Sequence, residues 1–166
     1  MRKALLADDD FLVRSYLKML SSWEKAGFEI AADVRDGEEA LEILEQQEIE
    51  LVVTDIAMPL MDGIELIREI RKKYPDIYVI VLSCHDEFEY VKKAMKEGAD
   101  EYVLKSTLNE ESLYTFLKAA EENIRKKREE DSGNRRMENE NSEIQDHLPD
   151  REKPDRTMNE KFLFFN

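Results

Sequence analysis

Residues 51–63 read LVVTDIAMPLMDG, and this stretch decides how the chain is expected to fold. It opens with an apolar run, Leu51–Val53, of the kind found in strands that are buried on both faces. Asp62 has a glutamate three positions later, which is the pattern of a helix N-terminal capping box. Isoleucines then recur at helical spacing, at Ile64, Ile67 and Ile70. The stretch therefore predicts a strand, a loop that begins near Asp55, and an amphipathic helix.

The same alternation of apolar run and helical pattern fills residues 1–128. The other four runs are Ala4–Ala7, Phe28–Ala32, Ile77–Leu82 and Tyr102–Leu104. Five strand-then-helix units without hairpin turns imply one parallel sheet with right-handed crossovers and helices on both faces. The fold class is therefore α/β, a doubly wound five-stranded parallel sheet. Asp36 and Asp86 each have a glutamate three positions later, so they are predicted to cap the second and fourth helices. The last helix is predicted to end at the basic cluster Arg125–Arg128, which suits the negative end of a helix dipole.

Composition excludes several classes of function. The 166 residues include 25 basic and 39 acidic groups, a formal net charge of −14, which disfavours binding to nucleic-acid phosphates or to anionic membranes. The longest apolar run, Ile77–Leu82, is far shorter than the roughly 18 residues needed to span a bilayer. The single cysteine, Cys84, excludes an internal disulfide. We expect a cytoplasmic protein without membrane contact.

The composition changes near residue 130. Residues 131–166 contain nine acidic, six basic and only eight apolar residues, too few to offset the entropy lost on ordering. We therefore predict a folded domain over residues 1–128 and an acidic, largely disordered linker over residues 129–166. Four of the eight apolar residues lie in the last five positions, and we interpret them as the first turn of a following element.

Polar residues follow four of the five predicted strands. They are Asp8, Asp9 and Asp10 after the first strand, Asp55 after the third, Ser83 after the fourth and Lys105 after the fifth. Taken singly, each has an ordinary structural explanation; Asp10, for example, suits the N-cap of the first helix. Because the carboxyl ends of parallel strands share one edge of the sheet, where sites form, we expect these side chains to converge.

Such a cluster needs a compensating charge. Two carboxylates about 4 Å apart repel by roughly 4 kcal/mol at an effective dielectric constant near 20. Lys105 offsets one negative charge. A hard cation that prefers oxygen ligands, Mg²⁺, would neutralise the negative charge that remains. Asp55 would then be placed to act as a nucleophile towards a phosphoryl group, with the metal and Lys105 neutralising the developing charge.

Four segments together resemble the receiver domain of two-component response regulators. They are Leu5–Asp10, Val52–Gly63, Val81–Ser83 and Gly98–Lys105, of which the Asp-x-x-Met-Pro-x-Met-Asp-Gly string is highly specific. The resemblance covers residues 1 to about 128 and implies the flavodoxin-like fold of the chemotaxis response regulator, with strand order 2-1-3-4-5. It further implies that Asp55 is the phosphoacceptor, which takes its phosphoryl group from a sensor histidine kinase.

The resemblance also assigns roles to the other residues at the edge. Mg²⁺ would be held by Asp9, Asp55 and the backbone carbonyl of Ala57, with Asp8 acting through water. Lys105 and the Ser83 hydroxyl would bind phosphoryl oxygens, and Tyr102 would be the switch aromatic that turns inward when Ser83 moves. The domain would be a signalling module rather than an enzyme, although it would catalyse its own phosphotransfer and dephosphorylation.

The resemblance implies an output surface as well. This surface, also the expected route to a homodimer, would comprise the predicted fourth helix, fifth strand and fifth helix. Residues Asp86–Tyr90 look like those of receivers that precede an AraC-type helix-turn-helix domain, and Asn159–Leu163 resembles the segment that follows the linker there. We therefore expect the chain to be the N-terminal part of a transcriptional regulator that reaches DNA only through an effector domain outside it.

Two positions depart from the family pattern. Cys84 stands where the family usually has a small residue, and its side chain is expected to narrow access to Asp55 or to alter dephosphorylation. Ser106 follows Lys105 where the family commonly has a proline in a cis peptide bond. A non-proline cis bond costs several kcal/mol, so we expect the peptide bond before Ser106 to be trans. Thr107 and Glu110 would then fix the start of the last helix in place of the cis turn.

Two other functions compete with this one. Phosphatases of the haloacid-dehalogenase type also use an Asp-x-Asp pattern, which Asp8 and Asp10 satisfy, but they need a further acidic pair late in the chain, and they do not explain the string after Asp55. A receiver-like interaction module that works without phosphorylation is the second alternative. The suitable residue types at every chemical position favour the phosphorylated module.

Overall fold

The computed structural model describes residues 1–146, which fold around a five-stranded parallel sheet. The strands are β1 (Arg2–Ala7), β2 (Phe28–Val34), β3 (Leu51–Thr54), β4 (Tyr78–Ser83) and β5 (Glu101–Leu104). They lie in the order β2-β1-β3-β4-β5, and every neighbouring pair is parallel. This confirms both the fold class and the strand order. The terminal segment compared above with AraC-type regulators lies outside the described residues.

Six helices connect and flank the strands. They are α1 (Phe11–Met19), α2 (Ser22–Lys25), α3 (Gly37–Gln46), α4 (Gly63–Lys73), α5 (Phe88–Glu97) and α6 (Glu110–Asp146). The predicted fourth and fifth helices correspond to α5 and α6. The short helix α2 was not predicted, because four residues are too few to show a periodicity. Its Trp23 is buried, and the indole N–H donates to the backbone carbonyl of Leu17 at 2.8 Å.

Two apolar layers cover the two faces of the sheet, as predicted. Side chains of α3, α4 and α5 pack on one face, against β-strand residues such as Leu5 and Val52. Side chains of α1, α2 and the first part of α6 pack on the other face, against residues such as Leu6 and Val53. Because neighbouring strand residues point to opposite faces, a strand that is apolar at every position supplies both layers.

The helix starts test the capping predictions. Asp36 and Asp62 cap α3 and α4 as expected, and Asp62 forms a full capping box with Glu65. Asp10 is the N-cap of α1, where its side chain accepts a hydrogen bond from the backbone N–H of Leu12. The prediction for α5 was wrong, since this helix follows Glu87 rather than Asp86 and lacks a side-chain cap.

The prediction for the start of α6 was also wrong. Thr107 belongs to a 3₁₀ turn, Lys105–Thr107, where its hydroxyl donates to the carbonyl of Leu104 at 2.8 Å, and the helix begins only at Glu110. Asn109 and Ser112 cap the helix instead, since each side chain accepts a hydrogen bond from the other's backbone N–H at 2.9 Å.

The end of α6 lies beyond the basic cluster at which we predicted it. The helix continues to Asp146, and the side chains of residues 126–142 are all exposed. Basic residues of this part are followed four positions later by acidic ones, for example Lys126 by Glu130 and Lys127 by Asp131, and such pairs support a helix by about 0.2–0.5 kcal/mol each without burial. The compact unit that contains the sheet is Met1–Arg125. The division of the chain at residue 128 stays a prediction.

No helix within residues 1–146 combines the length and the apolar content that a bilayer span requires.

Candidate functional site

The predicted site residues lie along the carboxyl edge of the sheet. The backbone N–H of Asp55 donates to the carbonyl of Ala7 at 2.8 Å, and that of Asp8 donates to the carbonyl of Val34 at 3.0 Å. These two bonds continue the parallel pairing one residue past the ends of β1 and β3. The first residues after the two strands are therefore held side by side at the centre of the sheet.

Three carboxylates meet there. One oxygen each of Asp8, Asp9 and Asp55 lies within 4.8 Å of the other two. Asp8 and Asp55 are 1% and 7% exposed, whereas Asp9 is exposed to solvent. The predicted convergence of these residues is thus present, and Asp10 stays outside the cluster as the N-cap of α1.

Lys105 contacts both buried carboxylates. Its Nζ lies 2.6 Å from Oδ2 of Asp8 and 3.1 Å from Oδ2 of Asp55, and its side chain is largely buried. The other oxygen of each carboxylate accepts a backbone N–H, from Asp10 at 2.9 Å and from Ile56 at 2.8 Å. One ammonium group faces three carboxylates, so the cluster carries an excess of negative charge.

Burial and the neighbouring charges shift two pKa values in the cluster. Burial raises the pKa of Asp55 above its usual 3.8, and the Asp8 carboxylate adds to that shift, while Lys105 acts in the opposite direction without cancelling it. Burial alone would lower the pKa of Lys105, but its contacts with Asp8 and Asp55 outweigh burial and raise it. Lys105 is therefore fully protonated at neutral pH, and Asp55 is the carboxylate that an additional cation would stabilise most directly.

The donor set fits Mg²⁺. Octahedral Mg²⁺ with ligands at about 2.1 Å places neighbouring oxygens about 3 Å apart and opposite oxygens about 4.2 Å apart. The carboxylate oxygens of the cluster lie within 4.8 Å of one another, and the exposed Asp9 side chain is free to move closer to a shared ion. All three donors are charged oxygens, which is the ligand type that selects Mg²⁺ over softer metals.

The loop after Asp55 has a demanding geometry. A β-carbon at Gly63 would overlap the carbonyl oxygen of Asp55, and the N–H of Gly63 donates to the carbonyl of Ile56 at 2.8 Å. Leu60 has a φ of +64°, a left-handed conformation that a leucine rarely adopts, and its side chain is 76% exposed. Glycine at position 63 thus lets the start of α4 lie directly against the backbone of Asp55.

A cleft of about 550 Å³ opens beside the acidic cluster. It is lined by Asp9, Ile56, Ala57, Met58, Pro59, Asp62 and Tyr90. Ala57, whose carbonyl is a predicted metal ligand, therefore lies at the same opening as Asp9. Tyr90 was not among the predicted site residues, and only its place in α5, one turn beyond the loop after Ser83, could have indicated it.

Ser83 and Tyr102 both bond to the peptide groups of one residue. Ser83 is fully buried at the end of β4, and its hydroxyl oxygen accepts a hydrogen bond from the N–H of His85 at 3.0 Å. The hydroxyl of Tyr102, a half-buried residue of β5, donates to the carbonyl of His85 at 2.6 Å. The His85 ring stacks on Tyr90, with 4.8 Å between centroids. Residue 85 thus links Ser83, Tyr102 and the lining of the cleft.

The structure describes both positions at which the sequence departs from the family pattern. Cys84 is exposed to solvent, and its effect on access to Asp55 stays a prediction. Ser106 lies in the 3₁₀ turn Lys105–Thr107, which connects β5 to α6.

Comparisons with known proteins agree with this geometry. A sequence model of the response regulator receiver domain matches residues 4–118. The uncharacterised transcriptional regulatory protein YesN of Bacillus subtilis is 38% identical over 117 residues, which are 70% of this chain and 32% of YesN. The chain thus spans about a third of the length of that relative.

Solved receiver structures are similar over most of the chain. The receiver domain of AraT, a response regulator from Geobacillus stearothermophilus, has a TM-score of 0.70 and 31% identity, covering 76% of this chain and 98% of that domain. CheY of Borrelia burgdorferi, solved in a complex with CheX, BeF₃ and Mg²⁺, has a TM-score of 0.62 and 28% identity, covering 69% of this chain and 84% of that one.

Proposed function

This chain belongs to the response regulator receiver family, and on that premise we propose that Asp55 accepts a phosphoryl group from the phosphohistidine of a sensor kinase. The observation that carries the proposal is the contact of Lys105 with both Asp8 and Asp55 beside a third carboxylate. A carboxylate oxygen of Asp55 attacks phosphorus, and the P–N bond breaks with its electron pair passing to the imidazole of the kinase.

The residues around Asp55 have distinct tasks in this transfer. Lys105 is held by Asp8, so it is fixed where a phosphoryl oxygen on Asp55 would need a positive partner. Asp9, Asp55 and the carbonyl of Ala57 would hold Mg²⁺, with Asp8 acting through water. When bound, the ion neutralises negative charge on the phosphoryl oxygens. The cleft between Asp9 and Tyr90 leaves room for the donor to approach.

We propose that His85 connects phosphorylation to the output surface. If the Ser83 hydroxyl turns to a phosphoryl oxygen, the N–H of His85 loses its acceptor, and the 84–86 segment moves with it. The carbonyl of His85 is the acceptor for Tyr102, so this hydroxyl is released at the same time. Phosphorylation would thereby shift an existing equilibrium between two positions of Tyr102.

The test of phosphoryl transfer is intact-mass measurement after incubation with acetyl phosphate and Mg²⁺. Wild-type protein should gain one phosphoryl group, and Asp55→Asn should gain none. The gain should disappear when EDTA replaces Mg²⁺. A label that persists in Asp55→Asn but is lost in Asp8→Ala would identify a phosphatase-type nucleophile, and no label on wild type would refute the proposal.

A mimic of the phosphoryl group tests the switch. Amide resonances of Ser83, His85 and Tyr102 should shift when BeF₃ and Mg²⁺ are added together, since this pair mimics the acyl phosphate. An unchanged spectrum around these residues would indicate an interaction module that does not respond to phosphorylation. The self-catalysed loss of the phosphoryl group is measured by following the mass of the labelled protein with time.

For the whole protein we propose transcriptional output through a DNA-binding domain outside this chain. The name of YesN and the share of that protein that the chain matches support this proposal. A native transcript that encodes no further domain would contradict it. Self-association through α5, β5 and α6 also stays a prediction, and light scattering with and without BeF₃ and Mg²⁺ tests it.

A further inference from the structure

Arg14 of α1 contacts the backbone of the loop that carries two of the clustered carboxylates. Its Nη1 donates to the carbonyl oxygen of Asp8 at 2.6 Å, and its Nε donates to Oδ2 of Asp33 at 3.0 Å. The Arg14 side chain is only 13% exposed. One guanidinium group therefore connects α1, the loop after β1, and β2.

Asp33 keeps the guanidinium in place. Its second oxygen accepts a hydrogen bond from Lys18 at 3.1 Å, so both oxygens have cationic partners on α1. Burial would raise the pKa of Asp33, but Lys18 and Arg14 outweigh burial and lower it. The Arg14–Asp33 pair is consequently charged throughout the neutral pH range.

The hydrogen bond from Arg14 to the Asp8 carbonyl controls where the next residue, Asp9, lies. It belongs to the peptide group that joins Asp8 to Asp9, and because a peptide group is planar, the direction of its C=O fixes the position of the next Cα atom. Within residues 1–146, the Asp9 carboxylate has no hydrogen bond or ion pair of its own, unlike those of Asp8 and Asp55. The location of the Asp9 carboxylate depends on the backbone that Arg14 holds.

We propose that Arg14 is a positioning residue for metal binding, which orients the Asp8–Asp9 peptide and so presents the Asp9 carboxylate to Mg²⁺. The inference rests on the proposed function, since it takes the three carboxylates to be the Mg²⁺ site. It adds a residue that touches neither the ion nor the phosphoryl group and acts through a backbone carbonyl.

An effect of the Arg14 charge and an effect of its hydrogen bond to the loop predict opposite changes in the Mg²⁺ affinity of Arg14→Gln. Removing a cation beside an acidic cluster should tighten Mg²⁺ binding if Arg14 acts only through its charge. Removing the clamp on the Asp8 carbonyl should weaken binding if Arg14 acts by positioning. Arg14→Lys keeps the charge but loses the fork that bonds to Asp8 and Asp33 together, so a charge effect leaves its affinity unchanged and positioning lowers it.

The experiment is calorimetric titration of the full chain with Mg²⁺ alone. We expect Arg14→Gln, Arg14→Lys and Asp33→Asn each to raise the dissociation constant, by about 10-fold for Arg14→Gln, as for other residues that orient metal ligands. Lys18→Gln is the matched control, because Lys18 pairs with Asp33 but does not contact the loop. Its dissociation constant should stay within about 2-fold of wild type, well below the loss of about 10-fold or more that follows from removing a residue that orients a metal ligand.

Unchanged or tighter binding by Arg14→Gln, unchanged binding by Arg14→Lys, or equally weakened binding by Lys18→Gln overturns the inference. Weaker binding by both Arg14 variants, with Lys18→Gln unchanged, supports it. If Arg14→Gln does not fold by circular dichroism, Arg14→Lys and Asp33→Asn decide in its place. If wild-type protein binds Mg²⁺ and gains a phosphoryl group while the variants bind Mg²⁺ equally well, the inference about Arg14 fails and the proposed function stands. If wild-type protein neither binds Mg²⁺ nor gains a phosphoryl group, the inference and the proposed function both fail.

Discussion

Replacing Asp55 by asparagine should stabilise the metal-free fold while it abolishes phosphoryl transfer. Asparagine has the size of aspartate and keeps an oxygen that accepts the N–H of Ile56, which bonds to Asp55 at 2.8 Å. Its NH₂ group takes the place of the oxygen that contacts Lys105, which keeps its contact with Asp8. The substitution therefore removes a charge from a buried site with little change in packing. The result depends on whether the carboxylates or Lys105 dominate the electrostatic environment of Asp55.

The distances allow this balance to be worked out. Asp8 and Asp9 have carboxylate oxygens within 4.8 Å of Asp55, so each repels its charge by about 3.5 kcal/mol at an effective dielectric constant near 20. Lys105, 3.1 Å away, attracts it by about 5.4 kcal/mol on the same scale. Because Asp9 is exposed and screened by salt, its repulsion is weaker than this value, so the attraction by Lys105 about balances the two carboxylates. Burial of Asp55 is therefore what makes its charge unfavourable.

The pH dependence of this gain has a definite sign. The pKa of Asp55 is raised in the folded state by burial and by Asp8, above the usual 3.8. Such a group contributes stability that is fully present below its unfolded pKa and is lost as the pH rises through its folded pKa. The stabilisation by Asp55→Asn should therefore be largest at neutral pH and should vanish in acid, where wild-type Asp55 is protonated.

Thermal unfolding in EDTA at neutral pH measures the effect. We expect the melting temperature of Asp55→Asn to exceed that of wild type by about 4 °C for each kcal/mol, as for a domain of this size. Millimolar Mg²⁺ should raise the melting temperature of wild type more than that of the variant, because the ion binds only the folded cluster. Asp76→Asn, which changes an exposed carboxylate outside the site, should change neither value. A melting temperature of Asp55→Asn equal to or below that of wild type in EDTA would refute the reasoning.

Three further substitutions test the same geometry. Lys105→Met should cost about 3 kcal/mol in EDTA, since it leaves two buried carboxylates without a cation, and Mg²⁺ should recover part of the loss; urea unfolding in both buffers measures this. Leu60→Asn should raise the free energy of unfolding by about 0.5–1 kcal/mol, because asparagine tolerates the φ of +64° and little burial is lost; an unchanged urea midpoint would contradict this. Gly63→Ala should lower the urea midpoint by more than any of these, whereas Gly133→Ala, whose β-carbon meets nothing within 4 Å, should not lower it.

The sheet and the acidic cluster could be predicted from the sequence for a common physical reason. Strands of a parallel sheet are buried on both faces, so they appear as apolar runs, and the residue after each run is thereby placed at one edge. Asp8, Asp55 and Lys105 each follow such a run, and the structure brings them within hydrogen-bond distance. Segments far apart in sequence were thus placed together without knowledge of any contact between them.

Other features depend on local geometry that a pattern does not reveal. The pairing of β1 with β2 shifts by one residue between Ala4 and Leu5, and this shift sets Leu6 opposite Asp33. Without it, Asp33 would occupy a different register, so the contact with Arg14 could not be inferred from spacing. In the same way, Asn109 rather than Thr107 caps α6, because residues 105–107 form a 3₁₀ turn before the helix begins at Glu110.

The acidic cluster is the place where the sequence works against the stability of its own fold. Several ion pairs elsewhere in the described residues join one cation to one carboxylate, as Arg71 does with Asp100 and Arg68 with Glu97. At the sheet edge, Lys105 is shared between two carboxylates, and a third lies within reach of both. A site with one cation too few favours the binding of another, and that cation together with Lys105 would offset the further negative charge that a phosphoryl group brings. The same imbalance that makes Asp55 costly in the metal-free fold therefore agrees with its proposed role as the phosphoacceptor.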